Sequence, residues 1–357
     1  MIDLKKSKDL NVKDTPECGP ATNPNRLSAA LTFNDRIGNI MCRISNNRRM
    51  KYKIIPGFYA LGNPGRNSPV LVSCNYRLSM NLLRSALGGR DAWILVIDTK
   101  GINVWCAAGK GTFCSAEIVR QAAACDLKSR VTHRTLILPQ LGASGVSASR
   151  VQKLTGFSVK FGPVRARDIP AYLDNSTTAT PEMRQVGFSI GDRAKLIPME
   201  LIPALKNAGL FLLVATVLFG ATGGGIIYKR AFFGVAPFVA AALTAVFTGS
   251  VLVPLLLPFI PGRAFSIKGF VTGCAGALAL FPVHPECRQT VLFAIFCMVA
   301  VPAFSSYLAF LFTGSSTYTS PSGVKSELKI ALPLYLASGG ISLVLFMVIL
   351  IRFWRFS

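Results

Sequence analysis

One run of eight residues carries the densest chemistry in the chain: Asn103-Val-Trp-Cys-Ala-Ala-Gly-Lys110. It puts a cysteine where a strand gives way to a helix. A helix amino terminus offers positive partial charge and free N–H groups, which lower a thiol pKa and hold the sulfur as thiolate, the form that binds metal. Ala107, Ala108 and Gly109 remove side-chain bulk, so a large flat ligand has room against the backbone, and Lys110 adds charge for a thiolate or for a cofactor amide or phosphate. From the residues alone, an activated thiolate under a flat cofactor competes with a plainer reading, a small buried apolar cysteine. A cysteine nucleophile is the third option. It normally needs a histidine, and the candidate before the membrane-like part of the chain is His133.

The elements that must position this run are legible from periodicity. Residues 69–74 and 92–97 are short apolar strands, and residues 78–87 repeat apolar side chains at helical spacing, which makes a βαβ unit. Past Asp98 the chain turns at Gly101, continues as a short extended piece over 102–105, and enters a helix carrying Ala116, Ile118, Val119, Ala122 and Ala123. Strands at 135–138 and 157–161 flank a helix near 146–154, with turns at Gly142, Gly145 and Gly156. Strand–helix alternation with short turns predicts a parallel α/β sheet. Ligands of such sheets sit beyond the carboxyl ends of the strands, here the loops 73–77, 98–110 and 139–147. Asn75, Gln140, Gly142 and Gly145 in these loops therefore join residues 103–110 as candidate cofactor-binding positions. Residues 1–50 read as an irregular arm with one short helix near 27–33, and 179–206 as one more strand plus a linker.

Charge divides the chain. Of 39 Lys and Arg, 30 lie at or before Lys206, as do 14 of the 16 Asp and Glu, so this part carries +16. Beyond it, five runs are free of charge: 207–228, 231–262, 269–285, 289–324 and 330–351. A helix needs roughly 20 apolar residues to cross a bilayer core, so five spans are expected, the third and shortest being the least regular. The polar amino terminus has no apolar run typical of a secretory signal, so the first domain is expected to stay in the cytoplasm. Basic residues near the span ends lean the same way, eight against five. The basic surface suits anionic lipid, an acidic partner or an anionic cofactor; it lacks the aromatic interleaving of nucleic-acid binding, so none is expected. Nine cysteines form no C-x-x-C pair and no zinc or iron–sulfur pattern, so disulfides are not expected and electrons must come from outside.

Residues 103–110 match at every position N-(V/I)-W-C-A-(A/G)-G-K, the signature of the mercury methylation corrinoid proteins, the HgcA family. Residues 70–79 (VLVSCNYRLS), 133–143 (HRTLILPQLGA) and 162–166 (GPVRA) resemble further blocks of that family, and with the five-span tail the resemblance covers about residues 55–357. One departure is Ser149, where the family is expected to carry a histidine. The resemblance implies a Rossmann-like corrinoid domain related to the large subunit of the corrinoid iron–sulfur protein of the CO dehydrogenase/acetyl-CoA synthase family. It implies that Cys106 is the lower axial cobalt ligand of a cobalamin-type corrinoid, in keeping with the absence of the Asp-x-His-x-x-Gly signature of histidine-ligated corrinoids. Asn103, Val104 and Trp105 would position the cap helix and corrinoid, Ala107, Ala108 and Gly109 would give clearance, and Lys110 would support.

The implied activity is that of an anaerobic, corrinoid-dependent methyltransferase forming methylmercury from Hg(II). Its implied partners are a separate methyl-donor methyltransferase and a ferredoxin-like protein with two 4Fe–4S clusters, HgcB, which re-reduces cobalt. The expected organisation is an arm (1–54), a corrinoid-binding domain (55–180), a strand and linker (181–206) and a multi-pass domain in the cytoplasmic membrane (207–357). Two rivals stand beside it: a membrane-bound methyl carrier of one-carbon or acetyl-CoA metabolism, and a transporter with a regulatory soluble domain.

Overall fold

A computed structural model describes residues 24–222 and 225–356. The chain divides into two compact units between Val186 and Gly187. The first is an α/β unit built on a six-stranded sheet of order β1-β2-β4-β3-β5-β6. Its strands are β1 (Asn25–Leu27), β2 (Gly57–Leu61), β3 (Val70–Cys74), β4 (Ala92–Ile97), β5 (Thr135–Leu138) and β6 (Ser158–Phe161). β3 to β6 are mutually parallel; β2 runs antiparallel to β4, and β1 parallel to β2. The predicted parallel sheet is present, widened by an antiparallel edge.

Strand periodicity sorts the core into two layers. Val70, Val72, Cys74, Leu95, Ile97, Leu136 and Leu138 face one side, where they meet Phe113, helix α5 (Ser115–Ala124), the single turn α6 (Leu127–Arg130) and helix α7 (Ala148–Thr155). Leu71, Ile94, Val96 and Ile137 face the other, against α3 (Arg77–Ala86) and α8 (Ile169–Asp174). Both faces are covered, which is why these strands read as continuous apolar runs. Each fully buried Val, Leu or Ile contributes roughly 1.5–3 kcal/mol. Because β4 and β5 lie on opposite sides of β3, the winding reverses between β3 and β5, where a parallel sheet opens a crevice.

Four local expectations are corrected. Residues 24–54 are ordered, and the helix expected over 27–33 begins where that span ends: α1 is Phe33–Ile44, followed by α2 (Asn46–Lys51). Thr32 and Asp35 form a capping box that fixes this start, while Leu27 belongs to β1. The extended piece stops at Asn103, whose side chain caps α4 (Val104–Gly109), so Val104 and Trp105 are already helical. No strand occurs over 179–206; Ser189 and Asp192 cap α9 (Ile190–Ala194), and α10 (Ile197–Gly220) begins with Pro198 in its first turn, where proline costs no hydrogen bond. Cys125 is disulfide-bonded, a pairing that depends on proximity in space and that spacing along the chain does not reveal.

Asp35 ties the amino-terminal segment to the sheet layer. Its carboxylate is buried and meets Arg84 at 2.6 Å and Arg77 at 3.2 Å. Arg84 also donates to Asn81 Oδ1 and to the carbonyls of Ser28 and Ala30.

The second unit contains five helices long and apolar enough to cross a membrane: α10, α11 (Tyr228–Phe247, continued by a π-helical turn and α12, Val253–Leu256), α13 (Phe265–Val283), α15 (Val291–Leu311) and α16 (Pro321–Phe356). The shortest, α13, is an unbroken helix pressed against α15. A Cβ on Gly269 or Gly273 would come within 2.8 Å of the α15 residues Pro302, Ser305, Ser306 or Ala309. Ser305 Oγ donates to the Gly269 carbonyl at 2.8 Å and accepts from Thr248 Oγ1 at 2.9 Å. Small residues and hydroxyls hold apolar helices together where water gives no driving force. Lys268 is buried at the start of α13, and its ammonium binds the carbonyls of Leu257 and Ile260.

The Asp35 carboxyl is held far below its ordinary value: burial raises it, and hydrogen bonds from Thr32, Arg84 and Arg77 more than reverse that. A depressed carboxylate stabilises the fold above its unfolded pKa of about 3.9, and this stabilisation drains away as pH falls below it. Asp35→Asn should therefore cost about 3–5 kcal/mol at neutral pH, as for a broken buried ion pair. It should also flatten the acid-side loss below about pH 4. Urea unfolding across pH, followed by near-UV circular dichroism, checks both.

Candidate functional site

The crevice between β3 and β5 is a cleft of about 310 Å³. Its floor is Leu71, Val72 and Ser73 from β3 with Ile137, Leu138 and Pro139 from β5. Leu82 and Leu83 of α3 and the 162–164 segment after β6 form its walls, and Asn103, Val104 and Trp105 complete it. The three loops chosen from the sequence thus all reach the carboxyl edge of the parallel strands. Trp105 is 40% exposed. Cys106 is half-buried and a free thiol; it follows the cleft-lining residues directly without itself lining the cleft.

Helix α4 is six residues long and owes its position to what brackets it. Below, the Asn103 side chain accepts from the Cys106 N–H at 2.9 Å. The loop that delivers Asn103 is organised by Asn75, whose Oδ1 accepts from Thr99 N (3.1 Å), Thr99 Oγ1 (2.9 Å) and Gly101 N (2.8 Å), while Nδ2 donates to Asp98 Oδ1 (2.9 Å). Lys100 and Gly101 both adopt positive φ there, 61° and 77°. Glu117 of α5 accepts the Asp98 N–H at 3.0 Å and is held by Arg120 at 2.6 and 2.8 Å. Burial raises the Asp98 pKa, but the hydrogen bonds and charge of Lys100 outweigh it, so Asp98 stays ionised.

Above, α4 packs on a 3-10 turn over Gln140–Gly145. Ala107 and Ala108 are buried there, so the clearance expected of them for a flat ligand is filled by protein. Gly142 and Gly145 are likewise packing positions: a Cβ on Gly142 would lie 2.5 Å from the Phe113 ring, and one on Gly145 would overlap the Phe113 carbonyl. Asn75, predicted to touch a cofactor, is buried with its amide committed to the loop. Gly109 and Lys110 are exposed at the end of α4. Gln140 Oε1 is buried without a hydrogen-bond partner, between the cleft-lining Pro139 and Leu141.

Other residues with reactive side chains lie away from this place. His133 hydrogen-bonds the Ser68 carbonyl at 2.8 Å at the amino end of β5, the far edge of the sheet from Cys106. Cys74 and Cys125 are buried, and burial pushes the Cys74 thiol up, keeping it neutral. Cys114 lines a separate shallow pocket. Ser149 is exposed on α7, with its hydroxyl against Ser147. Thr99, Phe113 and Glu117 brace the site but belong to no motif; the one available signal was a carboxylate and an aromatic close after a strand end.

Gly145→Ala should cost about 1–3 kcal/mol by forcing Phe113 and Ala108 apart. Its amide exchange should quicken over 104–113, whereas Gly109→Ala, whose Cβ meets nothing within 4 Å, should leave both stability and exchange unchanged.

Residues 44–173 match the family described as CdhD, the CO dehydrogenase/acetyl-CoA synthase delta subunit. Subunit gamma of the acetyl-CoA decarbonylase/synthase complex of Methanopyrus kandleri is 31% identical over 128 residues, 35% of this chain and 27% of that one. The Methanosarcina acetivorans subunit is 33% identical over 138 residues, 37% and 29% of the two chains. That of Archaeoglobus fulgidus is 28% identical over 135 residues, 37% and 28%. The chain therefore spans less than a third of the length of these relatives, and its five long helices lie outside the family match. Over β2 to β6, with the cleft and the whole of 103–110 included, the α/β unit is similar to the CO dehydrogenase/acetyl-CoA synthase delta-subunit family.

Proposed function

We propose that the α/β unit binds a corrinoid with Cys106 as the lower axial ligand of cobalt, and that the chain transfers a methyl group to Hg(II), forming methylmercury. The observation that carries this reading is a half-exposed free thiol on a short helix, clamped from both sides beside an apolar cleft at the reversal point of a parallel sheet. The residues fit the cofactor. The cleft, about 310 Å³, lies within the roughly 300–1,000 Å³ range of small-molecule sites, at its small end. Trp105 offers a partly exposed aromatic surface at the cleft.

When bound, the corrinoid supplies a methyl group carried on cobalt. Cys106 would hold the cobalt through its sulfur, and sulfur ligation, a stronger donor than imidazole or water, would favour loss of methyl with its electron pair, the form that Hg(II) accepts. Asn103 fixes the turn that presents the sulfur, and Lys110 adds positive charge nearby. The cysteines have no cluster-binding spacing, which supports an external reductant, the ferredoxin-like HgcB, with the methyl group brought by a separate methyltransferase. The five long helices support a multi-pass protein of the cytoplasmic membrane, with the α/β unit on the cytoplasmic side.

A second reading, a membrane-bound methyl carrier of one-carbon or acetyl-CoA metabolism, is favoured by the acetyl-CoA decarbonylase/synthase relatives. The two separate on the acceptor. Anaerobic protein loaded with methylcorrinoid should form methylmercury from Hg(II) faster than free methylcobalamin, measured by isotope-labelled mass spectrometry. Cys106→Ala should reduce the rate to that of the free cofactor, and Asn103→Ala, which removes a cap worth about 1 kcal/mol, should weaken corrinoid binding about fivefold. A wild-type rate no higher than that of free cofactor would leave the carrier reading.

A further inference from the structure

Helix α1 is amphipathic in the reverse sense. Its inward face carries Asp35, Asn39 and Cys42, all buried. Asp35 pairs with Arg84 and Arg77, and Asn39 Oδ1 accepts from Asn81 Nδ2 at 2.9 Å. Its outward face carries Phe33, Ile37 and Ile40, which are 75%, 42% and 55% exposed, with the half-buried Ile44 in line. At 3.6 residues per turn these four share an arc of about 60°, and Arg36 and Arg43 run along one border of it. The stripe cannot be turned inward, because that rotation would pull Asp35 out of its buried ion pairs. From residue 33 to residue 53 six side chains are Lys or Arg and the one acid is Asp35, so the exposed surface beside the stripe carries only positive charge. The family match begins at residue 44, so α1 lies almost wholly outside it.

We propose that α1 docks on the surface of an anionic bilayer, with its apolar stripe among the acyl chains just below the headgroups and its arginines on lipid phosphates. An apolar stripe with a basic border is the pattern of a helix that lies in the membrane interface, its apolar side buried by about 5–10 Å. Charge selects this occupant over a second copy of the same face, which would set Arg36 and Arg43 against their own counterparts. The five long apolar helices tether the chain to a bilayer, so α1 meets that surface at high effective concentration. The inference rests on the reading of those helices as membrane spans and uses neither Cys106 nor the methyl acceptor.

The test uses the full chain reconstituted in vesicles of phosphatidylcholine alone, or of phosphatidylcholine and phosphatidylglycerol in equal parts. A lipid-soluble carbene probe is photolysed in the bilayer and its adducts are mapped by mass spectrometry. Adducts on α16, where Leu334, Leu336 and Leu343 are exposed, report insertion of the helical unit, and the short polar helix α14 (Pro285–Gln289) sets the background. Phe33–Ile44 should be labelled in the mixed vesicles and should lose that label in phosphatidylcholine alone or at high salt. Ile37→Asn/Ile40→Asn should abolish it. Arg36→Gln/Arg43→Gln should lower the ratio of docked to free helix about fivefold for each arginine, the equivalent of roughly 1 kcal/mol per basic residue at an anionic surface. No label on 33–44 while α16 is labelled overturns the proposal, as does label that survives Ile37→Asn/Ile40→Asn. Equal label in the two kinds of vesicle removes the role of anionic lipid and overturns it as well. A face that resists hydroxyl-radical oxidation from the water side yet takes no carbene is covered by protein, which also overturns it. Absence of label from α16 too would overturn the reading of the spans and the proposal with it. Should the asparagine variant fail to fold, the comparison of lipids and of salt on the wild type decides.

Discussion

The carboxamide of Asn75 joins the end of β3 to the loop that follows β4, and the position of the cap helix depends on it. Four hydrogen bonds from one buried side chain satisfy Thr99 and Gly101 and hold Asp98, so the loop leaves the sheet with a fixed direction. A buried amide left half-satisfied would cost more than its removal, which makes the arrangement all or nothing. Everything above it follows: Asn103 arrives where it can cap α4, the cap orients Cys106, and the Gln140–Gly145 turn closes over Ala107 and Ala108.

This explains which parts of the site were legible in the sequence. Strands β3 to β5 declare themselves because both faces are buried and every residue but Ser73 and Thr135 is apolar. The choice of loops follows from strand direction alone. The small residues were visible too, but their purpose was not. An alanine or glycine reports that something approaches closely, and composition does not say whether that is a ligand or another piece of backbone. At Ala107, Ala108, Gly142 and Gly145 the approaching group is the protein itself. Asn75 misleads in the same way, because a polar residue in a ligand-facing loop serves equally as a strut. β2 escaped detection because Pro56 and Gly57 interrupt its lead-in, and its pairing partner β4 is more than 30 residues away.

In the helical unit the spans were plain from hydropathy, whereas their contacts were not. Gly269, Gly273, Thr248 and Ser305 are unremarkable in sequence and become a close-packed polar seam only when α13 meets α15. The family match ends before this unit begins, so its function rests on its own residues.

The claim on which the functional account stands is that the Cys106 sulfur binds cobalt. Cobalt-edge X-ray absorption of the anaerobic, corrinoid-loaded chain measures this without reference to any acceptor, with Cys106→Ala as the comparison. The account predicts a sulfur neighbour of cobalt in the wild type that is missing from the variant. Only nitrogen and oxygen neighbours in the wild type, or a sulfur neighbour that survives in Cys106→Ala, would contradict it.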